Sequence, residues 1–304
     1  MKILVTGGGG FLGCYVTRNL VAQGHEVTIT ATGSEPIASG VHKVLYYSLE
    51  GIDWKWASGQ DCIVHLMANN DTRCDDESEM WRANVFGPIK MFQTALDGGC
   101  CHFVFASSTA VYGNSPAPYE AGVTPTNPLN VYAKSKLAFD NFAKDFAKTP
   151  GINVTGLRFC NIYGPGEEHK GKRMSMIGQI VQTIMRNNPV QLFEDGEQKR
   201  DWIYVEDAAG FTTAAALQPS GRGFAMYDIG SGQATTFNRL IEVINEEMGA
   251  WTGKTGCVQY IPCPFASEYQ SYTECKIEVA KQALGYSPKF DITYGVASYV
   301  QTTC

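Results

Sequence analysis

The chain alternates short apolar runs with longer segments in which apolar residues recur at helical spacing. Lys2–Thr6 is a β-rich run that ends at four glycines, and Phe11–Gln23 then carries apolar residues three and four positions apart before Gly24. Strand, glycine turn and helix form the first half of a βαβ unit. The next strand is predicted over Glu26–Thr30.

The same alternation continues and predicts the fold class. Further strands are predicted at Lys43–Tyr47, Cys62–Met67, Phe103–Ser107, Val154–Phe159 and Met226–Ile229. Helical patterns separate several of these strands, and such alternation is typical of a parallel sheet that is covered by helices on both faces. We therefore predict an α/β fold, a Rossmann-type doubly wound parallel sheet.

The character of the pattern changes after Gly164. The segments there are a helix over Met174–Met185, a strand over Val190–Phe193, a loop over Glu194–Lys199, a helix over Val205–Leu217 and a strand over Val258–Ile261. They predict a smaller, mostly C-terminal α/β substrate domain. The predicted division is 1–163 and 222–251 for the dinucleotide-binding domain, and 164–221 and 252–304 for the substrate-binding domain.

Composition narrows the class of protein. The 304 residues are 44% hydrophobic and 18% charged, as in soluble globular proteins. The net charge of −6 argues against a nucleic-acid partner, so local cations would have to hold any anionic ligand. The first apolar run is too short for a signal peptide, and no stretch approaches the ~18 apolar residues of a membrane span. We predict a cytoplasmic protein with no membrane partner.

The ten cysteines lack the spacing of a zinc site, so no metal is predicted.

The glycine-rich turn TGGGGFLG follows a predicted strand and opens a predicted helix. In this context Gly7 permits the tight turn, Gly10 lets the backbone approach a pyrophosphate, and Gly13 lets helix and strand pack closely. The phosphates would lie at the amino end of the helix, where N–H groups and the helix dipole favour an anion. The residues of the turn assigned to a dinucleotide cofactor are Gly7, Gly10, Phe11, Leu12 and Gly13.

The end of the second strand bears on which dinucleotide is bound. NAD-binding versions of this turn carry an acidic residue there, which binds the ribose 2′-hydroxyl. Here the position holds Ala31, and the missing carboxylate removes repulsion toward a 2′-phosphate. Thr32 and Ser34 could donate hydrogen bonds to that phosphate. The sequence therefore favours NADP, with NAD as the alternative.

A second constellation consists of Tyr132 and Lys136, four residues apart on one face of a predicted helix. A free tyrosine has a pKa of about 10. A neighbouring ammonium and an oxidised nicotinamide both favour the phenolate, which makes Tyr132 a usable base or acid. Ser108, at the end of a predicted strand, can hydrogen-bond the same substrate oxygen.

These features resemble the extended short-chain dehydrogenase/reductase family. The matches, in the order of the family, are T-G-G-x-G-x-x-G at Thr6–Gly13, H-L-M-A at His65–Ala68, Asn84, S-S-T-A-V-Y-G at Ser107–Gly113, Y-x-x-x-K at Tyr132–Lys136, R-F-x-N-I-Y-G-P at Arg158–Pro165 and R-D-W-I-Y-V-E-D at Arg200–Asp207. Most members act on nucleotide sugars. The resemblance therefore implies a nucleotide-diphosphate sugar as substrate, and it also implies a homo-oligomer.

The resemblance implies further site residues. Those expected at the cofactor are Leu66, Ala68, Asn84, Tyr132, Lys136, Phe159 and Ile162. Those expected near the substrate are Ser108, Asn161 and Arg200. One departure from the family is Pro88, which lies where members have a continuous helix and is predicted to kink or shorten it.

Positions that differ among members narrow the activity. Dehydratases of the family carry Asp-Glu where this chain has Thr109 and Ala110, and epimerase-reductases carry a cysteine in place of Ala110. The run GEEHKGKRM at 166–174 resembles the segment that delivers a catalytic lysine in the ADP-glycero-manno-heptose 6-epimerase subfamily. This implies Lys170 as a proton handler and Arg173 as a phosphate ligand. Tyr269 lies in another stretch that resembles this subfamily.

Inversion through a transient ketone explains why two proton handlers are needed. The carbonyl has to turn over between hydride removal and return, and each orientation presents its oxygen to a different group, here Tyr132 or Lys170. His169, Lys172 and Arg173 are neighbouring cations that would favour a neutral lysine. Two alternatives remain open. Another nucleotide-sugar epimerase or oxidoreductase, such as a hexose 4-epimerase, would not need Lys170, and a non-catalytic NADP-sensing regulator would not need Tyr132.

Overall fold

The computed structural model describes residues 1–33, 37–46, 53–72, 74, 76–218, 223–264 and 269–304. The strands are β1 (Lys2–Thr6), β2 (Glu26–Ala31), β3 (Lys43–Tyr46), β4 (Cys62–His65), β5 (His102–Ser108), β6 (Asn153–Phe159), β7 (Asn161–Tyr163), β8 (Val190–Phe193), β9 (Lys199–Tyr204), β10 (Gly223–Ile229), β11 (Ala234–Thr236), β12 (Val258–Ile261) and β13 (Tyr272–Thr273). Ser34 and Tyr47, to which the sequence assigned roles, lie outside the described residues.

Helices connect most of these strands. They are α1 (Phe11–Ala22), α2 (Glu77–Trp81), α3 (Gly87–Asp97), α4 (Val131–Phe146), α5 (Met176–Met185), α6 (Val205–Leu217), α7 (Phe237–Thr252), α8 (Glu278–Leu284) and α9 (Ile292–Thr303). Short 3₁₀ turns occupy Trp54–Ala57, Thr109–Tyr112 and Glu168–Arg173. None of the described helices combines the length and the apolar character needed to cross a lipid bilayer.

The main sheet has the predicted doubly wound topology. Its seven strands are all parallel and run in the order β10-β6-β5-β4-β1-β2-β3. The direction of winding reverses between β1 and β4, because β2 and β3 extend the sheet on one side and β4, β5, β6 and β10 extend it on the other. In open α/β sheets, ligands bind outside the carboxyl ends of the strands at this reversal.

Two apolar layers cover the sheet. On one face, strand residues such as Ile3 and Ile29 pack with Leu20 of α1 and Phe211 of α6. On the other face, β-strand residues pack with α3 and α4 in a cluster that includes Phe92, Phe103, Phe105 and Phe139. Residues buried on both faces explain why the strands read as continuous apolar runs and not as alternating patterns.

A second apolar cluster lies outside the main sheet. It combines α5, α7 and α9 with β8 and β9, through residues such as Ile180, Trp202, Ile244 and Tyr299. Two small sheets belong to this region, one with β9 between β11 and β13 and paired also with β7, the other formed by β8 and β12. The division into two domains stays a prediction, and α7, whose residues 237–251 it assigned to the dinucleotide-binding domain, packs into this second cluster.

Pro88 changes the helix around it, but does not break it. The chain passes from α2 into a π-helical turn, Arg82–Phe86, and then directly into α3, which has Pro88 in its first turn. The N–H of Gly87 donates to the carbonyl of Arg82, five residues back. Because proline lacks an N–H and clashes with the preceding turn, a locally wider turn is one way to keep the helix continuous.

Candidate active site

The glycine turn between β1 and α1 is shaped for close approach. The N–H of Gly10 donates to the carbonyl of Gly7 at 2.9 Å, and a Cβ on Gly13 would lie 2.0 Å from the same carbonyl oxygen. Any side chain at position 13 would therefore force the helix away from the turn. The cap residue of α1 is Gly10, which has no side chain to bond the first N–H groups of the helix. These features fit a dinucleotide pyrophosphate.

The segment after β4 lies beside this turn. The N–H of Leu66 donates to the carbonyl of Thr6, and a Cβ on Gly7 would lie 3.0 Å from the nitrogen of Met67. This contact brings 66–68, and with it Ala68, to the carboxyl edge between β1 and β4. His65 is buried and bonded through Nδ1 to the Thr6 hydroxyl at 2.7 Å. Burial, together with the charge of Lys136, lowers the pKa of His65 to about 3, so this imidazole is neutral.

The end of β2 has no carboxylate. The strand ends at Ala31, which is buried, and Thr32 follows as an exposed residue. The Thr30 hydroxyl accepts a hydrogen bond from the N–H of Gly7 at 2.9 Å, which ties β2 to the glycine turn. The ribose of a dinucleotide seated on the turn would therefore meet an uncharged strand end.

Ser108, Tyr132 and Lys136 meet at the carboxyl end of β5. Ser108 ends this strand, and Tyr132 and Lys136 lie one turn apart at the start of α4. The ammonium of Lys136 donates to the carbonyl of Ala106 at 3.1 Å and lies 5.9 Å from the centre of the Tyr132 ring. The structure therefore brings the three residues together, and their roles at substrate and cofactor stay predictions.

The pKa of Tyr132 differs from the expectation that the neighbouring ammonium favours its phenolate. Burial raises the pKa of Tyr132, and a hydrogen bond with Ser108 only partly offsets the rise. Burial also lowers the pKa of Lys136 to about 8, against an opposing effect of Asp140. The protein groups alone therefore do not favour the phenolate. A positive charge from a bound oxidised cofactor would oppose this rise in the pKa of Tyr132.

Asn84 supports this group from the π-helical turn. Its side-chain Nδ2 donates to the carbonyl of Asn69 at 2.9 Å and to the Ser135 hydroxyl at 3.0 Å, and its Oδ1 accepts from the N–H of Asn69. Ser135 in turn donates to the carbonyl of Tyr132 at 2.7 Å. The sequence assigned Asn84 to the cofactor. Here its amide is engaged with protein groups that hold α4, and contact with the cofactor stays a prediction.

Phe159 and Asn161 connect the main sheet to the second region. Phe159 pairs with Ser108 in the parallel ladder, and its carbonyl accepts from the Thr109 hydroxyl at 3.2 Å. Two residues later, Asn161 begins β7 and donates from Nδ2 to the carbonyl of Asp201. Ile162 lies next to it, partly buried against the main core. This stretch, which contains two residues expected at the cofactor, thus starts beside Ser108 and leads to β9.

Arg200 on β9 is the most informative predicted substrate residue. It is 8% exposed, and within the described part of the chain no carboxylate forms an ion pair with it. Its guanidinium lies 4.8 Å from the ring centre of Tyr269 and donates to the carbonyl of Lys199 at 2.9 Å. Burial lowers the pKa of Arg200. A buried guanidinium between aromatic rings and without a counter-ion is well suited to a phosphate ligand.

Lys170 lies against the start of α1, next to the glycine turn. Its ammonium is 3.3 Å from Oε2 of Glu167 and 4.9 Å from the ring centre of Phe11, the first residue of α1. His169, Lys172 and Arg173, the neighbouring cations named from the sequence, are exposed. The charged group that the structure places beside Lys170 is the carboxylate of Glu167, and the effect of the three cations on Lys170 stays a prediction. The role of Arg173 at the substrate stays a prediction.

Glu167 is a buried group that sequence reasoning missed. It lies in a run of polar and charged residues, where a solvated carboxylate is the ordinary expectation, yet its side chain is 0% exposed. Nothing in the local pattern distinguishes it from the exposed Glu168 beside it. Only the packing of α5 and α9 over this segment buries one and exposes the other.

A cluster of possible metal ligands also forms without a sequence signal. The ligand atoms of Cys160, Asp201 and Cys275 lie within 4.8 Å of one another, all buried. Both carboxylate oxygens of Asp201 already accept hydrogen bonds, from Ser231, from the N–H of Gly232 and from the N–H of Cys275. These bonds account for the carboxylate as a structural anchor of the loops around β9.

Known proteins are similar to this chain in both sequence and fold. Residues 3–230 match the model of the NAD dependent epimerase/dehydratase family. A relative from Alkalilimnicola ehrlichii, ADP-L-glycero-D-manno-heptose-6-epimerase, is 32% identical over 98% of this chain and 96% of its own. The Helicobacter pylori structure of the same name is 28% identical, with a TM-score of 0.83, over 99% of this chain and 95% of its own. MoeE5, solved with UDP-glucose and NAD, is 25% identical, with a TM-score of 0.88, over 100% of this chain and 98% of its own.

Proposed function

The chain belongs to the NAD dependent epimerase/dehydratase family, and from this premise we propose that it is a nucleotide-sugar epimerase that inverts C6 of ADP-glycero-manno-heptose. The observation that carries the proposal is Arg200, a buried guanidinium for which the described residues offer no carboxylate partner. It lies on β9, which pairs with β7, the strand that follows Phe159 beside Ser108. A diphosphate held by Arg200 would extend the attached sugar toward these residues. Two heptose 6-epimerases align with nearly the whole chain, and this similarity supports the choice of sugar.

The glycine turn would hold the dinucleotide by its pyrophosphate, and Lys136 would hold the nicotinamide half. When bound, the cofactor supplies reversible hydride transfer at C6 of the sugar. Lys136 is buried and anchored to the carbonyl of Ala106, so its ammonium is fixed relative to the Tyr132 ring. This arrangement would serve proton transfer, because the Lys136 ammonium and the Tyr132 phenol are already positioned before the reaction.

Tyr132 and Lys170 would divide the proton transfers. In one orientation of the sugar, Tyr132 takes the proton from the C6 hydroxyl, and Ser108 hydrogen-bonds the same oxygen. After the ketone has turned over, its oxygen faces Lys170, which returns a proton as the alcohol forms again. Each residue acts as base in one direction and as acid in the other. The position of Lys170 over Phe11 supports this role, since it brings the ammonium to the cofactor side of the cleft.

NADP is the dinucleotide that we propose for this chain. The support comes from the uncharged end of β2, where a buried alanine replaces the carboxylate that would repel a 2′-phosphate. The purified protein should release NADP when it is denatured, and mass spectrometry of the supernatant identifies the dinucleotide. Release of NAD alone would overturn this choice and leave the epimerase proposal intact. The cytoplasmic location and the homo-oligomeric state stay predictions.

The reaction is tested by supplying ADP-D-glycero-D-manno-heptose to the purified protein, with no added cofactor, and following C6 by proton NMR. We expect the L-glycero epimer to accumulate to a mixture that is also reached from the other side. This result requires a tightly held, recycled cofactor. No change, in folded protein that releases a dinucleotide on denaturation, would refute the heptose substrate. UDP-hexoses would then be tested for inversion at C4, the reaction of the hexose 4-epimerase alternative.

A further inference from the structure

The buried carboxylate of Glu167 holds the segment that carries Lys170 through several hydrogen bonds. Oε2 of Glu167 accepts from the N–H of Ser175 at 2.7 Å and from the ammonium of Lys170 at 3.3 Å. Oε1 accepts from the Ser175 hydroxyl at 2.5 Å, and the Tyr299 hydroxyl of α9 is also hydrogen-bonded to this carboxylate. The loop 167–175, the start of α5 and the C-terminal helix therefore converge on a single side chain.

Gly178 in α5 shows how closely these groups are packed. A Cβ at this position would lie 2.5 Å from the Tyr299 hydroxyl oxygen and 2.9 Å from Oε1 of Glu167. Any side chain here would displace the phenol or the carboxylate. Glycine within a helix is destabilising by about 0.5–1 kcal/mol relative to alanine, so its presence in α5 is explained by the space that the carboxylate needs.

The same segment is also fastened to the helix that follows the glycine turn. The Tyr15 hydroxyl of α1 donates to the carbonyl of Pro165 at 3.0 Å, and Lys170 lies over Phe11 of the same helix. The side chain of Lys170 is 17% exposed, between a fully buried carboxylate and an aromatic ring. The ammonium is thus held at a defined place next to the cofactor turn, which is unusual for a lysine with four rotatable bonds.

We propose that Glu167 is a positioning residue of the reaction, which acts by holding the ammonium of Lys170 beside the cofactor turn before substrate binds. The inference rests on the proposed role of Lys170. Glu167 itself does not touch the sugar, since it is fully buried behind the loop. Its contribution is to reduce the number of positions that Lys170 samples, so that the sugar oxygen meets a proton handler already in place.

Glu167→Gln tests this role, because glutamine keeps the shape and can still accept from Ser175, but loses the charge that attracts Lys170. We expect kcat for epimerisation to fall about 100-fold, with KM changed less than about threefold. In a Lys170→Met background, which already lacks the ammonium, the same change should have no further effect on kcat. This lack of additivity is what separates positioning from a structural role.

Two matched controls accompany the cycle. Glu168→Gln removes the neighbouring, exposed carboxylate and should leave kcat unchanged. Ser175→Ala removes a hydrogen bond to Glu167 and the cap of α5, but keeps the charge beside Lys170. It should lower the melting temperature and have much less effect on kcat than Glu167→Gln. Equal losses of kcat in Ser175→Ala and Glu167→Gln, or a loss that persists in Lys170→Met, would show that Glu167 is only a structural anchor.

A second measurement does not depend on the identity of the sugar. Brief acetylation with an N-hydroxysuccinimide ester, followed by peptide mass spectrometry, compares Lys170 with the exposed Lys172 in the same molecule. Glu167→Gln should raise the labelling of Lys170 relative to Lys172 about tenfold, because the ammonium loses its buried partner. An unchanged ratio would overturn the positioning role even if epimerase activity were found. A raised ratio without heptose turnover would instead point to failure of the proposed substrate.

If Glu167→Gln does not fold, Gly178→Ala provides the same test with the charge retained. Its Cβ would clash with both the Tyr299 hydroxyl and Oε1 of Glu167, so the packing around the carboxylate has to shift while residue 167 is unchanged. We expect faster labelling of Lys170 and a lower kcat, in the direction expected for Glu167→Gln. Normal labelling and normal kcat in a folded Gly178→Ala protein would refute the inference.

Discussion

Arg200 and Tyr132 illustrate, at the scale of single residues, how burial changes what a side chain can do. Arg200 is surrounded by aromatic rings and a backbone carbonyl, without an acidic partner in the described chain. Tyr132 is a phenol whose pKa burial raises, next to an ammonium whose pKa burial lowers to about 8. Both arrangements are unfavourable for the protein alone. Under the proposed function, a bound diphosphate and an oxidised dinucleotide would supply the missing charges.

Arg200→Met should separate binding from stability. The methionine keeps much of the apolar contact but removes the charge, so the affinity for ADP should fall by about 2–3 kcal/mol, roughly 30- to 150-fold. The melting temperature should stay the same or rise, because the change removes a buried charge that has no ion-pair partner among the described residues. Isothermal titration with ADP and a thermal melt measure the two effects. Arg239→Met, at an exposed arginine, is the control and should change neither. Unchanged ADP affinity in Arg200→Met would rule out its role at the diphosphate.

Tyr132→Phe should abolish turnover and leave the cofactor bound. Phenylalanine retains the ring that packs near Lys136 but has no hydroxyl to take the proton, so the rate of epimerisation should fall by about 10²–10⁴-fold. Proton NMR gives the rate, and denaturation gives the bound dinucleotide. Tyr260→Phe, which removes an exposed hydroxyl, should behave as the unmodified protein. Turnover by Tyr132→Phe at the normal rate would refute the assigned role.

At the scale of elements, the π-helical turn before Pro88 places a polar side chain where a regular helix would not. A helix that widens by one residue shifts the side chains on either side of it relative to each other. In this chain the turn contains Asn84, which is 3% exposed and packs against α4. The helix that carries Tyr132 and Lys136 is therefore held by an amide on a neighbouring, irregular helix.

Asn84→Ala should weaken this support. The change leaves the N–H and carbonyl of Asn69 and the Ser135 hydroxyl without their partner, and we expect a loss of about 2–4 kcal/mol in the free energy of unfolding. Urea unfolding measures this loss. The rate of epimerisation should also fall, since Ser135 bonds the carbonyl of Tyr132. Arg82→Ala, an exposed residue of the same turn, is expected to stay within about 0.5 kcal/mol of the unmodified protein. Equal stability of the two variants would contradict the role of Asn84.

At the scale of the whole molecule, acid should destabilise the fold through its buried imidazole. The pKa of His65 is about 3 in the folded chain, against an ordinary value of 6.5. A depressed folded pKa means that the contribution to stability is complete above pH 6.5 and is lost as pH falls toward 3. At pH 5, protonation of His65 in the unfolded chain lowers the free energy of unfolding by about 2 kcal/mol.

His65→Asn should reduce the pH dependence. Its amide can replace Nδ1 in the bond to Thr6 but does not titrate in this range. Between pH 7 and pH 5, urea unfolding should show a drop in stability smaller by about 2 kcal/mol than in the unmodified protein. His169→Asn, at an exposed position, should keep the full drop. Equal drops in both variants would show that His65 is not the group responsible.

The sequence by itself determined the class of fold and the local motifs. The parallel sheet follows from apolar runs that alternate with helical patterns, and the turn at Gly7–Gly13 and the pair Tyr132 and Lys136 are defined by spacing within a few residues. Such features depend on backbone geometry and helix periodicity, which neighbouring residues control. For the same reason the bounds of α6, β8 and β12 matched their predicted segments.

Only the tertiary structure decided which charges are buried and what they face. Glu167 and Glu168 are adjacent and chemically identical, yet α5 and α9 enclose the first and leave the second in solvent. The contacts of Asn84 with α4 and of Arg200 with Tyr269 likewise join residues that are 51 and 69 positions apart. Desolvation and pairing energies depend on such distant neighbours, so local sequence patterns cannot specify them.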